Sequence, residues 1–398
     1  MGPLHGYRVI ELATWVAGPA AASMLADWGA DVIKVEAPAG DPNRYTLLHI
    51  GVDVASSPAF ALDNRGKRGV VLDLKARGAL EALAELLDGA DVFVTNLRPA
   101  ALERLSLDPA ALRQRYPRLV VATMTSFGWQ GAERDRPGYD LSAFWARSGM
   151  AARMLPADSP PPPLRPAAGD RMAATALVAG ICAALLNRAR TGQGEVVDVS
   201  LLRTGLYCNG SDLSTQLAFG KRARTRPREE QESPLYNCYR TADGRWLWLV
   251  ALEGDRHWPE LAAALGRPSL AGDPRFADPK ARRANGRALV AELDAIFAGQ
   301  TLEQWSRALD AADVWWGPVS DLDEVLADPQ AAATGAWLEA GGVRSVATPV
   351  RFWQANGGPQ RAAPGLGEHT ADVLGHAASE AVESRPGARM EEHSRGGT

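Results

Sequence analysis

Short apolar runs recur along the first 200 residues and alternate with longer stretches of helical periodicity. The runs are rich in Val, Ile and Leu and predict buried strands at residues 7–12, 30–36, 69–74, 91–95, 119–124 and 194–200. Apolar positions three and four residues apart predict helices between several of them, as at 20–28 and 77–87. Strands and helices in this alternation predict an α/β fold with a parallel sheet.

The most apolar helical stretch is 172–186, which follows a Gly-Asp pair at Gly169 and Asp170. Its apolar side chains cover much of the helix circumference and predict a buried helix; they are Met172, Leu177, Val178, Ile181, Cys182, Leu185 and Leu186. Arg188 and Arg190 fall in the last turn, where cations suit the helix dipole. Asp170 falls at the helix start. It can be a plain N-cap, or a carboxylate that performs chemistry.

The second half of the chain changes character after residue 218. Residues 219–233 form a predicted linker with a basic run at 221–228 followed by two glutamates, a pattern typical of a solvated connection. A smaller α+β domain is predicted at 234–320, with a hairpin of 235–239 and 246–250 and helices at 257–265, 281–297 and 302–312. Residues 321–376 are expected to return to the first domain, 1–218. The tail 377–398 has little apolar content and is predicted to be disordered.

Composition is that of an ordinary soluble globular protein. The 398 residues are 46% hydrophobic and 23% charged, and the net charge of -4 gives no support to nucleic-acid binding. Three cysteines form no CxxC pair, and six scattered histidines show no metal-ligand spacing, so no metal site is predicted. No signal pattern and no long polar-free apolar run are present, which favours a cytoplasmic protein without a membrane association.

The first strand-helix-strand unit raises the question of nucleotide binding, with Glu36 as a candidate ribose ligand. Its turn, residues 17–22, reads Ala-Gly-Pro-Ala-Ala-Ala and lacks the G-x-G-x-x-G that brings backbone onto a pyrophosphate. The sheet is therefore Rossmann-like, but a dinucleotide site is not favoured. Six cations lie near predicted strand ends and suit either a polyphosphate tail or a solvated rim: Arg65, Lys67, Arg68, Lys75, Arg98 and Arg104.

Several short motifs, taken in their order and spacing, resemble those of the family III CoA-transferases, the CaiB/BaiF group. They occupy residues 9–13 with 17–19, 27–36, 64–68 with 72–75, 96–99, 169–170, 192–199 and 366–370. The resemblance extends to about residue 375. The same superfamily includes formyl-CoA transferases and α-methylacyl-CoA racemases.

The resemblance implies a fold, a nucleophile and a substrate. It implies a Rossmann-like large domain built from both chain ends, a smaller inserted α+β domain, and an interlocked homodimer. It implies that Asp170 attacks an acyl-CoA thioester and that a carboxylic acid accepts the CoA, without a permanently bound cofactor. By the same resemblance, the CoA cleft would be lined by Val16, Leu72, Lys75, Asn96, Leu97, Arg98, Arg104 and Asp140.

Two departures bear on the reaction. Racemases of this superfamily have a histidine before the residue matching Asp140, and this chain has Tyr139, a poor base near neutral pH. Formyl-CoA transferases have a glutamine where Val16 stands and a glycine-rich loop where 229–237 has no glycine. A transferase for an acid more apolar than oxalate is expected, with a racemase or a non-catalytic acyl-CoA-binding protein as alternatives. Apolar residues that could line the acyl pocket, or simply pack in the core, are Trp15, Val16, Phe144, Trp145 and Met150.

Overall fold

A computed structural model describes residues 1–47, 51–52, 57–156, 159–221, 225–231, 233–251, 253–355, 358 and 361–375. The predicted disordered tail, 377–398, lies outside the described residues. The chain divides into two compact units. The first comprises Met1–Ala151, Pro163–Gly220 and the chain from Ala332 onward; the second comprises Ala152–Pro162 and Lys221–Ala331. Residues from both ends of the sequence thus meet in the first unit.

The first unit is built on a parallel sheet of six strands. These are β1 (Arg8–Leu12), β2 (Asp31–Glu36), β3 (Arg68–Val71), β4 (Val92–Thr95), β5 (Val120–Thr125) and β6 (Val196–Ser200). Their order is β3-β2-β1-β4-β5-β6, and every neighbouring pair is parallel. The predicted α/β class and Rossmann-like sheet are confirmed. The order reverses direction between β1 and β4, and ligands bind such sheets at the carboxyl ends of the strands on either side of this point.

Among the described residues before Lys221, this unit has eight α-helices. They are α1 (Ala17–Asp27), α2 (Pro58–Asn64), α3 (Ala79–Asp88), α4 (Pro99–Arg104), α5 (Pro109–Arg115), α6 (Ala168–Thr191), α7 (Leu201–Cys208) and α8 (Gly210–Phe219). Strand side chains alternate between the two faces of the sheet. One face packs against α1 and α6 and the other against α3, α4 and α5, which gives two hydrophobic clusters. Helices α4 and α5, which begin at Pro99 and Pro109, were not predicted.

Helix α6 is buried in part, so the prediction of a buried helix holds for some of its apolar side chains and not for others. Leu177, Val178 and Ile181 pack in the core, whereas Met172 is 50% exposed and Leu186 is 72% exposed. By length and composition α6 is apolar enough to cross a bilayer, and 44% of its most apolar window is buried within the protein. The helical stretch after β6 is divided at Asn209 into α7 and α8.

The second unit has its own core. Strands β7 (Tyr236–Arg240) and β8 (Trp246–Val250) form the expected antiparallel hairpin, and β9 (Trp316–Pro318) adds a third strand that was not predicted. Helices α9 (Gly254–Ala264), α10 (Pro279–Ala284), α11 (Gly286–Phe297) and α12 (Leu302–Ala311) cover one face of this sheet. The stretch predicted as one helix, 281–297, is interrupted at Asn285.

The chain then passes through α13 (Leu322–Ala327) and α14 (Pro329–Ala333). An antiparallel hairpin, β10 (Trp337–Ala340) with β11 (Val343–Val346), and a final helix, α15 (Thr370–Leu374), complete the described residues. His369 Nδ1 accepts a hydrogen bond from the Gly69 backbone N–H (3.2 Å), and Thr370 Oγ1 accepts one from Val71 (3.0 Å). These bonds fix the C-terminal segment along the edge strand β3.

Candidate active site

Asp170 lies in the first turn of α6 but does not cap it. The helix begins at Ala168 after Ala167, whose φ of 62° is left-handed, and Asp170 is the third helical residue. The carboxylate of Asp140 accepts a hydrogen bond from the Gly169 backbone N–H (3.2 Å) and so occupies one free donor of this helix end. The interpretation of Asp170 as a plain N-cap is therefore wrong.

Close packing explains why glycine precedes Asp170. A Cβ atom added at Gly169 would lie 2.6 Å from Phe144 Cγ and 2.9 Å from Asp140 Cβ. Phe144 belongs to a π-helical turn, Leu141–Ala146, and Asp140 accepts a bond from the Leu141 N–H at its start (2.7 Å). Asp140 thus joins this turn to the first turn of α6 and places its carboxylate beside Asp170.

Two neighbouring acids add to the effect of burial on Asp170. Burial, followed by the carboxylates of Asp140 and Asp63, raises the pKa of Asp170 to about 7, and Arg171 opposes this rise. Because this carboxyl titrates near neutrality, it exchanges its proton in the range where enzymes work.

Asp63 was not identified from the sequence, because no motif connects it with residue 170. It lies in the last turn of α2 and is buried, and its carboxylate pairs with Arg171 through bonds of 2.7 and 3.3 Å. Burial raises the pKa of Asp63, and Arg171 opposes that rise. The cation that follows Asp170 in sequence is therefore engaged by another acid.

The turn between β1 and α1 lies at the point where the strand order reverses. The Asn96 side chain accepts a hydrogen bond from the Thr14 N–H (3.0 Å) and donates one to the Thr14 carbonyl (2.6 Å). Asn96 therefore clamps the turn that carries Trp15 and Val16. The Trp15 ring meets the Tyr139 ring edge-on, with centroids 5.6 Å apart. This contact links the turn to the residue directly before Asp140.

The predicted CoA-contact residues are placed in different environments. Asp140 is buried beside Asp170, whereas Leu72 is a core side chain that could meet a ligand only through its backbone. Val16 and Leu97 are half buried, and Lys75, Arg98 and Arg104 are exposed, all after the carboxyl ends of β1, β3 and β4. Their positions are compatible with a ligand lying along this edge.

Three of the six predicted phosphate-binding cations are committed to other partners. Arg65 forms a buried ion pair with Asp27 (2.6 Å), and Lys67 is fully buried against Glu11 (2.6 Å). Arg68 lies at the opposite edge of the sheet, where it pairs with Asp31 (2.6 Å). Each acid comes from a distant part of the sequence, so the local run of positive charge could not reveal the pairing.

Helix α4, which begins after Arg98 and ends with Arg104, is held at both ends by one loop. Asp135 accepts a hydrogen bond from the Ala100 N–H (2.7 Å), and Arg134 bonds both carboxylate oxygens of Glu103 (2.8 and 2.6 Å). The two candidate CoA-binding arginines are thus carried on a short helix with a defined orientation.

Comparison with known proteins agrees with this geometry. The model of "CoA-transferase family III" matches residues 4–370. The chain is 33% identical to the (R)-2-hydroxy-4-methylpentanoate CoA-transferase of Clostridioides difficile, over 93% of this chain and 94% of that one. It is also 33% identical to the cinnamoyl-CoA:phenyllactate CoA-transferase of Clostridium sporogenes, over 93% and 92%.

A solved structure shares the fold as well as the sequence. The CAIB/BAIF family protein of Brucella suis superposes with a TM-score of 0.83 at 32% identity, covering 94% of this chain and 98% of that one. The family model and the relatives both extend over nearly the whole described chain, from the β1 strand to α15. The chain therefore belongs to CoA-transferase family III, whose members transfer CoA from an acyl-CoA to a carboxylic acid.

Proposed function

We propose that Asp170 is the nucleophile of this CoA-transferase and that the reaction passes through two covalent aspartyl intermediates. One observation carries the proposal: of the three acids at the start of α6, Asp63 is paired with Arg171 and Asp140 bonds two backbone N–H groups. Within the described part of the chain, Asp170 has neither a hydrogen bond nor an ion pair. A half-buried carboxylate without a structural partner in the described residues is available for chemistry.

The proposed steps balance without an added reagent. An oxygen of ionised Asp170 attacks the thioester carbonyl, the C–S bond breaks, and a mixed anhydride and CoA thiolate result. The thiolate attacks the aspartyl carbonyl, releases the donor acid and leaves an aspartyl-CoA thioester. The acceptor carboxylate attacks that thioester and displaces the thiolate, which then takes the new acyl group from the second anhydride. Asp170 is regenerated as a carboxylate.

One N–H group of the first turn of α6, that of Asp170 itself, is suited to stabilising the oxyanions of these steps, because it lies at the positive end of the helix dipole. In the described contacts Asp140 accepts from the Gly169 N–H, and the Arg165 carbonyl accepts from the Ala168 N–H (3.2 Å). Asp140 therefore has a positioning function as well: it fixes the helix end on which Asp170 stands. This explains its value to the site without assigning it a proton transfer.

CoA binding is proposed along the carboxyl edge of the sheet. Lys75, Arg98 and Arg104 are exposed there, and arginine forks and ammonium groups bind phosphate through charge-assisted hydrogen bonds. Lys75 and Arg104 are proposed for the adenine-phosphate end. Asn96, Leu97, Val16 and the Leu72 backbone are proposed to line the cleft.

The proposed acceptor is a monocarboxylic acid with an apolar side chain. Both transferases compared above act on 2-hydroxy acids with a branched alkyl or phenyl group, by their names. Here Trp15 is partly exposed and Tyr139 is 61% exposed, and they present aromatic surface next to Asp140. Phe144 and Trp145, in contrast, are core side chains and are not proposed to touch the acid.

A homodimer, interlocked as the resemblance implies, and a cytoplasmic location complete the proposal. The outer face of α6 continues into α7 and α8, and helix α8 has no buried residue. Large apolar side chains are exposed on all three helices: Leu186 on α6, Tyr207 (86%) on α7, and Leu217 and Phe219 (72%) on α8. An apolar face of this extent is typical of a subunit interface rather than of a free surface.

The test is trapping of the covalent intermediate. The protein is incubated with a panel of acyl-CoA donors that includes succinyl-CoA and acetyl-CoA, treated with hydroxylamine or borohydride, digested and analysed by mass spectrometry. A modification at Asp170 that is absent in Asp170→Ala supports the mechanism. Asp198→Asn is the matched control, because burial also raises the pKa of Asp198 but Thr123 donates to it (3.4 Å). Absence of any adduct, together with deuterium exchange at the α-carbon of a 2-methylacyl-CoA, would favour a racemase instead.

A further inference from the structure

Side chains from distant segments bond five polar backbone groups of the turn between β1 and α1. Lys34 donates to the Ala13 carbonyl (3.0 Å), and Asn96 bonds both the N–H and the carbonyl of Thr14 (3.0 and 2.6 Å). Asp41 accepts from the Trp15 N–H (3.0 Å), and the Asn43 side chain donates to the Trp15 carbonyl (3.4 Å). Backbone N–H and carbonyl groups of any buried turn need hydrogen-bond partners. Here the partners are side chains from three other segments, and together they fix a single conformation of the turn.

The conformation that they fix is an unfavourable one. Trp15 has a φ of 64°, in the left-handed region where a residue with a bulky side chain is uncommon. Such strain persists only where the surroundings over-determine it, and it concentrates at functional sites. The backbone strain at Trp15 is therefore maintained by the surrounding contacts and not by local sequence.

Asp41 is the central member of these contacts. It is fully buried, and one of its oxygens accepts from the N–H groups of Trp15 and Asn43 (both 3.0 Å). The other oxygen pairs with Lys34 Nζ (2.9 Å), which also pairs with Glu11 (2.9 Å). Burial lowers the pKa of Lys34, but the carboxylates of Glu11, Asp41 and Glu36 outweigh it and raise that pKa to about 12. The ammonium remains charged and keeps Asp41 in place.

The held residue faces the catalytic helix end. The Trp15 indole stands edge-on to the Tyr139 ring with an interplanar angle of 82°. Tyr139 directly precedes Asp140, which bonds the Gly169 N–H before Asp170. A chain of direct contacts therefore runs from Asp41 through Trp15 and Tyr139 to the segment that carries the proposed nucleophile.

We propose that Asp41 is a positioning residue for the transferase reaction: anchored by Lys34, it holds Trp15 in its left-handed conformation against Tyr139, so that the indole forms a wall for the acyl group. The proposal rests on the proposed function of Asp170. It assigns Asp41 no contact with substrate, since its effect is exerted through Trp15.

A double-mutant cycle on kcat/KM tests this route. Asp41→Asn keeps an oxygen for the two N–H groups but loses the ion pair with Lys34, and we expect kcat/KM to fall by about 10- to 100-fold, as for a misplaced binding group. Trp15→Ala is expected to cause a similar loss. Asp41→Asn in the Trp15→Ala background should then have little further effect, because the residue through which Asp41 acts is gone.

Asp27→Asn is the matched control. Asp27 is also a buried acid with a cationic partner, Arg65, but it ends α1 on the opposite edge of the sheet. Asp27→Asn should lower the stability of the fold. Any loss of kcat/KM that it causes should be additive with the loss caused by Trp15→Ala. Equal and additive losses for Asp41→Asn and Asp27→Asn would overturn the proposal and leave Asp41 a structural acid.

Two further measurements keep the proposal testable if Asp41→Asn folds poorly or if no transfer is found. Asn43→Ala removes only the weaker bond to the Trp15 carbonyl, and its smaller loss in kcat/KM should also vanish in the Trp15→Ala background. Crystal structures of wild type and Asp41→Asn should show Trp15 leaving the left-handed region and moving from Tyr139 in the variant. An unmoved Trp15 would contradict the positioning role even in an active enzyme. If Trp15 moves in Asp41→Asn but the wild type shows no transferase activity, the result would support the anchoring of Trp15 by Asp41 and refute the proposed function of Asp170.

Discussion

Two groups of buried charges lie within the first unit, and they are built in opposite ways. In the first group, Glu11, Lys34, Asp41 and Lys67 are fully buried, and each acid meets a cation within 3 Å. In the second group, Asp63, Asp140 and Asp170 gather at the start of α6, where, among the residues that the structure describes, only Asp63 has a cation of its own. The first group is balanced and holds backbone in place. The second is left with excess negative charge.

The two groups have different roles in this fold: the paired charges stabilise the structure, and the carboxylate in excess is available for a reaction. A buried ion pair is costly to break, because removal of one partner leaves the other charge without compensation. A surplus carboxylate is costly to keep, and the cost shows as the raised pKa of Asp170. Proteins accept such a cost where it serves a reaction.

Loss of the surplus carboxylate should remove activity and leave the fold intact. Asp170→Ala is expected to lower kcat by at least about 10⁴-fold, the scale seen when a nucleophile is deleted. Steady-state transfer between an acyl-CoA and a free acid measures it, with Asp198→Asn within about twofold of wild type. Substantial transfer by the alanine variant would mean that the acid is not the nucleophile.

Loss of Lys34, the cation shared by Glu11 and Asp41 in the first group, should instead destabilise the folded protein. Lys34→Met leaves Glu11 and Asp41 buried without their shared partner, and we expect a loss of about 3–5 kcal/mol in the free energy of unfolding. Denaturant titration followed by circular dichroism measures it. Exposed Lys75→Met is the control and should change this free energy by less than about 0.5 kcal/mol. A small effect at Lys34 would contradict the balanced description.

Reducing the negative charge of the second group should move the pH dependence. Since the nucleophile must be ionised, kcat/KM of the wild type should rise with pH to a plateau above about 7, the value that Asp140 and Asp63 help to set after burial. Asp140→Asn removes one of these carboxylates and should shift the acidic limb of the kcat/KM profile to lower pH. The maximal kcat/KM should also fall, because the contact with the Gly169 N–H weakens. A pH profile measures both, and an unmoved limb would mean that Asp140 does not act on Asp170.

The smallest effect concerns stability, and its sign is opposite to that at Lys34. The folded pKa of Asp170 lies above the unfolded value of 3.8, so the stabilisation present below pH 4 is lost as pH rises through about 7. Asp170→Asn avoids that loss. At about pH 8 it should be more stable than wild type by on the order of 2 kcal/mol after discounting for solvent screening, and at about pH 4 the two should be equal. Thermal unfolding at both values measures it.

The sheet could be predicted because its strands are continuous apolar runs, which parallel strands buried on both faces require. Asp170 was a candidate from its position before an apolar helix, and the family followed from motifs read together. The contacts that distinguish an N-cap from a free carboxylate could not be predicted, because Asp140 lies thirty residues away and Asp63 over a hundred. Arg65 and Lys67 were left open between a polyphosphate site and a solvated rim, and their buried ion pairs were missed for the same reason, since their acids lie elsewhere in the chain.

The central claim is that the unpartnered carboxylate of Asp170 attacks the thioester. It is tested most directly by measuring the rate of covalent labelling at Asp170 by acyl-CoA, with rapid quenching into hydroxylamine, as a function of pH. We expect a hydroxamate at Asp170, and its rate of formation should rise with pH to a plateau above about pH 7 as the Asp170 carboxyl ionises. Labelling of another residue, or a rate at Asp170 that does not change across this range, would contradict it.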